Sequence, residues 1–363
     1  MGLAITRLTL RDFRSYVELE LEPDPRLTIL VGPNAAGKTN AIEAIQLVTA
    51  GDSFRRPQWA ELVRWGACEA GVTLEARGEN RLLQTTLTVN GAGRRTYRIN
   101  GKIRRRIAEA AGVIPCVVFT PDDLRIVRDS ADRRRGAIDG VGDQLSPAYM
   151  KARLEYERVV RQRNAILKGL GPDNEVLDVL TTKLVDQGTA FMGHRRRLFD
   201  RMKTRMSEIY ATLSPGEKLE AAYVPSWQRG DAAVRMDDSA VAMMEALKDR
   251  RSEELARGLT LLGPHRDEVV FTIDTRDARA FASQGQTRTI ALAWKLAEVA
   301  VISDIAGQAP VLLLDDVMSE LDEARRHALA AFVGEKTQTF MTTTNLGYFE
   351  NELVARAHVV SVR

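Results

Sequence analysis

Residues 32–39 combine two glycines, a lysine and a threonine in the G-x-x-x-x-G-K-[ST] spacing of a phosphate-binding loop. Glycines allow main-chain N–H groups to curl around a phosphate, and the N-terminus of a following helix adds partial positive charge. The Lys38 ammonium can reach the β- and γ-phosphates of a nucleotide, while the Thr39 hydroxyl can bind Mg²⁺. The spacing therefore predicts a nucleotide site formed by Gly32, Pro33, Asn34, Ala35, Ala36, Gly37, Lys38 and Thr39.

Two adjacent carboxylates, Asp315 and Asp316, directly follow the apolar run 311–314. Such a run is typical of a buried parallel strand, and ligands bind at the carboxyl ends of parallel strands. Asp315 is then placed to hold Mg²⁺, and Asp316 to orient or deprotonate an attacking water. Asp315 considered alone could equally be a helix N-cap, so the metal role depends on the presence of the phosphate loop.

A third polar segment, Ser283-Gln284-Gly285-Gln286 (the SQGQ segment), lies directly before the helical pattern 289–302. A small polar loop at a helix N-terminus can bind an anion, although an ordinary helix cap is the commoner explanation of this pattern. Lys38 and Mg²⁺ would already neutralise the γ-phosphate of a nucleotide held by the same chain. The segment is therefore expected to act on a nucleotide bound by another copy.

The surrounding pattern predicts an α/β protein with an inserted helical hairpin, whose two amphipathic helices cover 149–167 and 175–213 and whose turn is 169–172. The apolar run 27–31 leads into the phosphate loop, and a helical pattern follows over 40–50. Strand patterns over 71–76, 82–89 and 96–99 predict a β meander. We expect an N-terminal part of an ATPase head, a helical lobe and a C-terminal part of the head, with the boundaries 1–146, 147–213 and 214–363.

Composition is typical of a globular protein in a reducing compartment. Of the 363 residues, 44% are hydrophobic and 28% are charged, which is enough to bury a core. The two cysteines have no metal-binding or redox spacing. No run of about 18 apolar residues predicts a membrane span, and the N-terminus lacks the apolar segment of a signal peptide. These features predict a cytoplasmic location.

Basic residues occur in clusters, but the net charge is only +3, which permits a nucleic-acid partner without requiring one. Arginines at phosphate contacts would give salt-dependent binding without sequence preference. Each cluster taken singly is more often a solvated helix face. The candidate DNA contacts are Arg104, Arg105, Arg106, Arg195, Arg196 and Arg197.

The order of these motifs is similar to that of ABC-type ATPases. The phosphate loop, the SQGQ segment and the strand ending in Asp315 are followed by 319–322, which resembles the D-loop of these enzymes. The segment 11–16 resembles the start of the SMC/Rad50 branch. More narrowly, 118–124, 262–268, the SQGQ segment and 315–322 resemble the RecF family of bacterial DNA repair proteins, over nearly the whole chain.

The resemblance implies an ABC-type ATPase head in which two copies close on ATP and Mg²⁺. It implies that Ser283 contacts the γ-phosphate bound by the other copy and that slow hydrolysis by Asp316 releases the dimer. It also implies DNA binding at single-strand gaps and loading of RecA with RecO and RecR. It adds three residues to the site: Arg14 as an ATP contact, with Ser319 and Asp322 in the D-loop.

Some positions depart from the family pattern. Thr287 stands where glutamine is common, and Asp316 is shorter than the glutamate of most ABC-type ATPases. No histidine marks the switch loop at 340–345, where Thr343 or Thr344 is expected to take its place. The alternative is the ATPase subunit of a membrane transporter, since transport ATPases share these motifs. Residues 11–16 and 262–268 argue against it.

Overall fold

The computed structural model describes residues 3–79, 81–104, 112–169, 174–228, 239–333 and 337–362. The strands are β1 (Ala4–Phe13), β2 (Tyr16–Leu21), β3 (Leu27–Val31), β4 (Glu69–Gly78), β5 (Arg81–Asn90), β6 (Arg95–Ile99), β7 (Lys102–Arg104), β8 (Cys116–Phe119), β9 (Leu219–Val224), β10 (Glu268–Ile273), β11 (Arg276–Asp277), β12 (Val311–Asp315), β13 (Thr339–Thr343) and β14 (His358–Ser361). The helices are α1 (Lys38–Thr49), α2 (Ala131–Leu145), α3 (Pro147–Leu167), α4 (Asn174–Leu213), α5 (Ser239–Asp249), α6 (Arg251–Arg257), α7 (Ala278–Phe281), α8 (Gln284–Ala306), α9 (Glu323–Phe332) and α10 (Asn351–Arg356).

The chain divides into two compact units. The first combines Met1–Arg125 with Ala291–Arg363, and the second is the continuous segment Ile126–Ile290. An α/β protein with an inserted lobe is confirmed, but the lobe is larger than the predicted 147–213. The reason is packing: α2 contacts α3 and α4, and β9 also packs on α4. Elements on both sides of the long helices thus belong to the same unit.

The first unit contains two separate sheets. One is antiparallel in the order β2–β1–β4–β5–β6–β7, and it includes the predicted meander. The other is parallel in the order β14–β3–β13–β12–β8. Helix α1 contacts strands of both sheets, and its Ala41, Ile42 and Ile45 are fully buried in their common core. This helix therefore ties the phosphate loop to both layers.

The second unit is mainly helical. Helices α3 and α4 form the predicted antiparallel hairpin, and α4 is 40 residues long. Most of its predicted turn, 170–172, lies outside the described residues. A small antiparallel sheet in the order β11–β10–β9 completes the unit. Within the described parts of the chain, no helix is both long and apolar enough to cross a membrane.

Candidate nucleotide-binding site

The phosphate loop leaves the parallel sheet at the carboxyl end of β3, between β13 and β14. Its last glycine, Gly37, has φ +103°, a conformation that side chains rarely adopt. A Cβ on Gly37 would lie 2.9 Å from Ser15 Oγ, and a Cβ on Gly32 would lie 2.1 Å from the carbonyl oxygen of Val362. Both glycines are therefore required by close packing around the loop.

The ammonium of Lys38 lies inside the curve of the loop. Its Nζ donates to the carbonyl oxygens of Gly32, at 2.7 Å, and Pro33, at 2.8 Å. The side chain is buried, so the charge is held within reach of any phosphate that the loop encloses. To contact that phosphate, the ammonium must exchange these carbonyls for phosphate oxygens.

Three oxygens from distant segments meet at the end of β12. Asp315 Oδ1 accepts hydrogen bonds from Thr39 Oγ1, at 2.8 Å, and from Thr342 Oγ1, at 2.7 Å. The parallel register of β12 and β13 places Thr342 opposite Asp315. A threonine hydroxyl beside a carboxylate is an oxygen donor set that suits Mg²⁺. Thr39 and Asp315 therefore fit the predicted metal role.

Asp316 has an unusual environment for a carboxylate. Its φ is +53°, and its N–H donates to Thr342 Oγ1 at 2.9 Å. Its Oδ1 is buried and has no hydrogen-bond partner among the described residues. Burial, and then the negative charge of Asp315, raise the pKa of Asp316. A carboxylate with a raised pKa is suited to take a proton from water.

Arg14 lies beside α1, but its guanidinium is already engaged. It makes a bidentate contact with the buried carboxylate of Glu43, at 2.9 and 3.0 Å, and donates to the carbonyl of Glu61. Glu43 also accepts from Ser53 Oγ and pairs with Arg55. Arg14 thus fixes the turn between β1 and β2 against the helix of the phosphate loop, and its predicted ATP contact stays a prediction.

The SQGQ segment forms a reciprocal cap at the start of α8. Gln286 N donates to Ser283 Oγ at 3.1 Å, and Ser283 N donates to Gln286 Oε1 at 2.8 Å. Gln286 Nε2 also donates to Glu217, at 2.8 Å. Ser283 and Gln284 are exposed, while Gly285 is half-buried. The segment is therefore a rigid helix start whose first two side chains face solvent.

The segment after Asp316 is organised by two further caps. Ser319 Oγ donates to the carbonyl of Asp316 at 2.8 Å, within the short helix Val317–Glu320. Asp322 caps α9 by accepting from Arg325 N, at 3.0 Å. Both predicted D-loop residues thus have local structural partners. Thr343 Oγ1 donates to the carbonyl oxygen of Asn345 and accepts from its N–H, while Thr342 contacts Asp315. The expectation that Thr343 or Thr344 takes the place of a switch-loop histidine stays a prediction.

The predicted DNA contacts separate on structural grounds. Arg195 is only 2% exposed and binds Asp139 through two hydrogen bonds of 2.7 and 2.9 Å, so its prediction as a DNA contact is wrong. Arg196 is half-buried and Arg197 is exposed on the same helix. Arg104 ends β7, whereas Arg105 and Arg106 lie outside the described residues.

Sequence reasoning missed two residues that organise the site. Glu43 is a fully buried acid in α1, and its position within an otherwise apolar helical face was the available signal. Thr342 is a fully buried threonine in β13, and nothing local distinguishes it from its neighbours in 339–343. Its role is apparent only from the pairing of β12 with β13.

Comparison with known proteins gives consistent results at the level of sequence and fold. The model of the RecF/RecN/SMC N terminal domain matches residues 4–362. The DNA replication and repair protein RecF of Gloeobacter violaceus is 39% identical, with 97% of this chain and 95% of that protein covered. RecF of Halalkalibacterium halodurans is 34% identical, with 99% and 97% covered.

Solved structures agree. The recombination mediator protein RecF-ATP of the RecFOR pathway matches with a TM-score of 0.88 and 29% identity, covering 96% of this chain and 94% of that one. The SMC head domain from Pyrococcus furiosus shares the fold, with a TM-score of 0.57 at 19% identity, covering 100% and 94%. The chain belongs to the RecF family of DNA replication and repair proteins.

Proposed function

We propose that this protein is an ATP-dependent DNA-binding repair protein, in which ATP drives the association of two copies. The observation that carries the proposal is the meeting of Thr39, Asp315 and Asp316 beside the phosphate loop. The RecF structure solved with ATP supports the choice of nucleotide. Family membership favours this function over the alternative of a transporter ATPase subunit.

The residues of the site divide the work of hydrolysis. Lys38 exchanges the carbonyls of Gly32 and Pro33 for phosphate oxygens, and Thr39 and Asp315 hold the metal. Bound Mg²⁺ supplies charge neutralisation along the phosphate chain. Asp316 accepts a proton from the attacking water. Because this carboxylate is shorter than glutamate, we expect slow turnover.

The SQGQ segment completes the site from a second copy. Ser283 and the N-terminus of α8 form a pre-organised anion site, because the cap is already made and the first side chains are exposed. We propose that they contact the γ-phosphate held by the partner copy. Ser319 and Asp322 then lie in the segment that follows Asp316 toward the same interface. ATP thereby acts as a link between the two copies.

The closed dimer binds DNA at single-strand gaps and duplex junctions and, with RecO and RecR, helps load RecA. RecF membership and the RecFOR pathway named for the solved relative support this finer assignment. We therefore also propose a cytoplasmic location. Contacts through phosphates give binding that is weakened by salt. Arg197, Arg196 and Arg104–106 remain the candidate contacts.

The test is binding to a gapped DNA duplex, with and without MgATP, by the parent protein and by Ser283→Arg. The added guanidinium at an exposed position should block closure without disturbing the buried core. We expect ATP to increase DNA affinity of the parent about tenfold or more, and this increase to be absent in Ser283→Arg. Lys38→Met is the comparison variant. It should also lose the ATP-dependent increase in DNA affinity, but because it weakens nucleotide binding itself.

Two results would contradict the proposal. One is an ATP response in Ser283→Arg equal to that of the parent, which would place the SQGQ segment outside the site. The other is tight ATP binding by the parent with no change in self-association or DNA affinity. That second outcome would retain the nucleotide site and remove its coupling to DNA.

A further inference from the structure

Tyr16 begins β2, immediately after the turn that carries Arg14 and Ser15, and its ring lies against the phosphate loop. A Cβ on Gly37 would be 3.0 Å from Tyr16 Cζ and 3.1 Å from Tyr16 Oη. The ring also packs against the core shared by the two sheets of its unit. The end of the phenol therefore lies directly behind the last glycine of the loop.

The hydroxyl of Tyr16 is buried and has no hydrogen-bond partner among the described residues. The neighbouring Ser15 Oγ already accepts a hydrogen bond from Asn40 Nδ2, at 2.9 Å. A buried polar group without a partner costs about 1–3 kcal/mol, and native proteins retain few of them. Burial raises the pKa of Tyr16 to about 12, so the hydroxyl stays protonated and can donate.

The loop in front of Tyr16 has a hydrogen-bonding pattern that must change when phosphate binds. In the free protein, Lys38 Nζ donates hydrogen bonds to the carbonyl oxygens of Gly32 and Pro33. Once the ammonium turns to a phosphate, these carbonyls lose their donor and the loop carries phosphate oxygens. New acceptors thus arise in the loop that packs against an unpartnered donor.

We propose that Tyr16 is a positioning residue for the phosphate loop, and that its hydroxyl acquires an acceptor only when a phosphate chain is bound there. The hydroxyl then favours the bound form of the loop over the free form, which strengthens phosphate binding. This inference rests on the proposed nucleotide site. It concerns the hydroxyl and not the ring, because the ring packs against Gly37 in either form.

The same unit offers a matched control in Tyr97. Its hydroxyl is also buried, but it donates to the carbonyl of Val48. Removing the Tyr97 oxygen leaves that carbonyl without its donor, so the free protein should lose stability. Removing the Tyr16 oxygen takes away only an unpartnered group. The two Tyr→Phe changes are therefore chemically identical and should have opposite consequences.

The experiment compares the parent, Tyr16→Phe and Tyr97→Phe in the full chain. Melting temperatures are measured without ligand, and affinities for MgATP and for magnesium tripolyphosphate are measured by calorimetry. We expect Tyr16→Phe to melt at or above the parent temperature while binding both ligands roughly two- to tenfold more weakly, as for one hydrogen bond. Tyr97→Phe should melt lower and bind both ligands as the parent does.

Three results would overturn the inference. A melting temperature of Tyr16→Phe reduced as in Tyr97→Phe would show that the hydroxyl has a partner in the free protein. Unchanged affinities would show that it gains none on binding. A loss seen with ATP and not with tripolyphosphate would place the contact on the nucleoside. A parent protein that binds neither ligand would instead remove the proposed function, whatever Tyr16→Phe does.

Discussion

At the scale of single residues, the distinctive feature of the site is a pair of adjacent carboxylates with different surroundings. Asp315 Oδ1 accepts two hydrogen bonds from hydroxyl groups, whereas Asp316 Oδ1 is buried and has no hydrogen-bond partner in the described part of the chain. Hydrogen bonds stabilise a charged carboxylate, and burial without them favours the protonated form. In the proposed mechanism, this difference in environment makes Asp315 the metal ligand and Asp316 the proton acceptor.

Replacing Asp316 tests this division. Asp316→Asn should retain MgATP binding and the ATP-linked dimer, while hydrolysis falls about 100-fold or more, as expected for loss of a general base. Single-turnover hydrolysis and light scattering measure the two effects. A variant that hydrolyses ATP at the parental rate would show that another group takes the proton.

The pH profile gives a second readout of the same residue. Because the pKa of Asp316 is raised, a larger fraction of it is protonated in mild acid than for an ordinary aspartate. A protonated carboxyl cannot act as a base, so hydrolysis by the parent should rise with pH through the raised pKa. The residual rate of Asp316→Asn should lack this rise.

At the scale of elements, neighbouring arginines of one helix have different roles. In α4, Arg195 points into the second unit, where it binds Asp139 and the carbonyl of Pro264 and lies over the ring of Phe191 at 4.4 Å. Arg197, two positions further along, is exposed. Three consecutive arginines occupy 195–197. Which of them a ligand can reach depends on the side of the helix from which each side chain projects.

Alanine substitutions should separate these roles. Arg195→Ala leaves the Asp139 carboxylate, which is largely buried, without its counter-charge, so the free energy of unfolding should fall by about 3–5 kcal/mol. Arg197→Ala should change stability by less than about 0.5 kcal/mol. Denaturant titration measures both. Equal, small effects would show that the Arg195–Asp139 pair does not stabilise the unit.

The Arg197→Ala variant also tests the proposed contact with DNA. If Arg197 contacts a phosphate, Arg197→Ala should weaken DNA binding and reduce its dependence on salt concentration. An unchanged affinity and salt dependence would remove Arg197 from the candidate contacts.

The sequence predicted those features whose residues lie within one continuous segment, and missed those that depend on partners from distant segments. The phosphate loop, β3 and α1 are contiguous, and the length and apolar spacing of α3 and α4 are strong periodic signals. Glu43 and Thr342 could not be assigned, because their partners, Arg14 and Asp315, come from other segments. Helix α2 was missed because three glycines and many charges obscure its apolar face.

At the scale of the whole molecule, the proposed dimer contains two composite sites, each with a phosphate loop from one copy and an SQGQ segment from the other. Lys38→Met and Ser283→Arg disable different halves of such a site. In a mixed dimer, the loop of the Ser283→Arg copy meets the intact SQGQ segment of the Lys38→Met copy. One of the two sites is then complete.

Mixing the two variants should therefore restore part of what each has lost. We expect neither variant alone to dimerise or hydrolyse MgATP at the parental level, and the equimolar mixture to recover a measurable fraction of both activities. Light scattering and phosphate release provide the measurements. No recovery on mixing, with both variants folded, would argue that each site is built within a single copy.

The strand order of the parallel sheet also has a consequence for biosynthesis. β3 (Leu27–Val31) emerges from the ribosome long before its neighbours in the sheet, β13 (Thr339–Thr343) and β14 (His358–Ser361). Ile126–Ile290 is continuous and can fold during translation, whereas the sheet beneath the phosphate loop must wait for late segments. A nascent chain halted before 311–343 lacks the segments that carry Asp315 and Thr342. Incomplete copies of this kind therefore cannot assemble the nucleotide site.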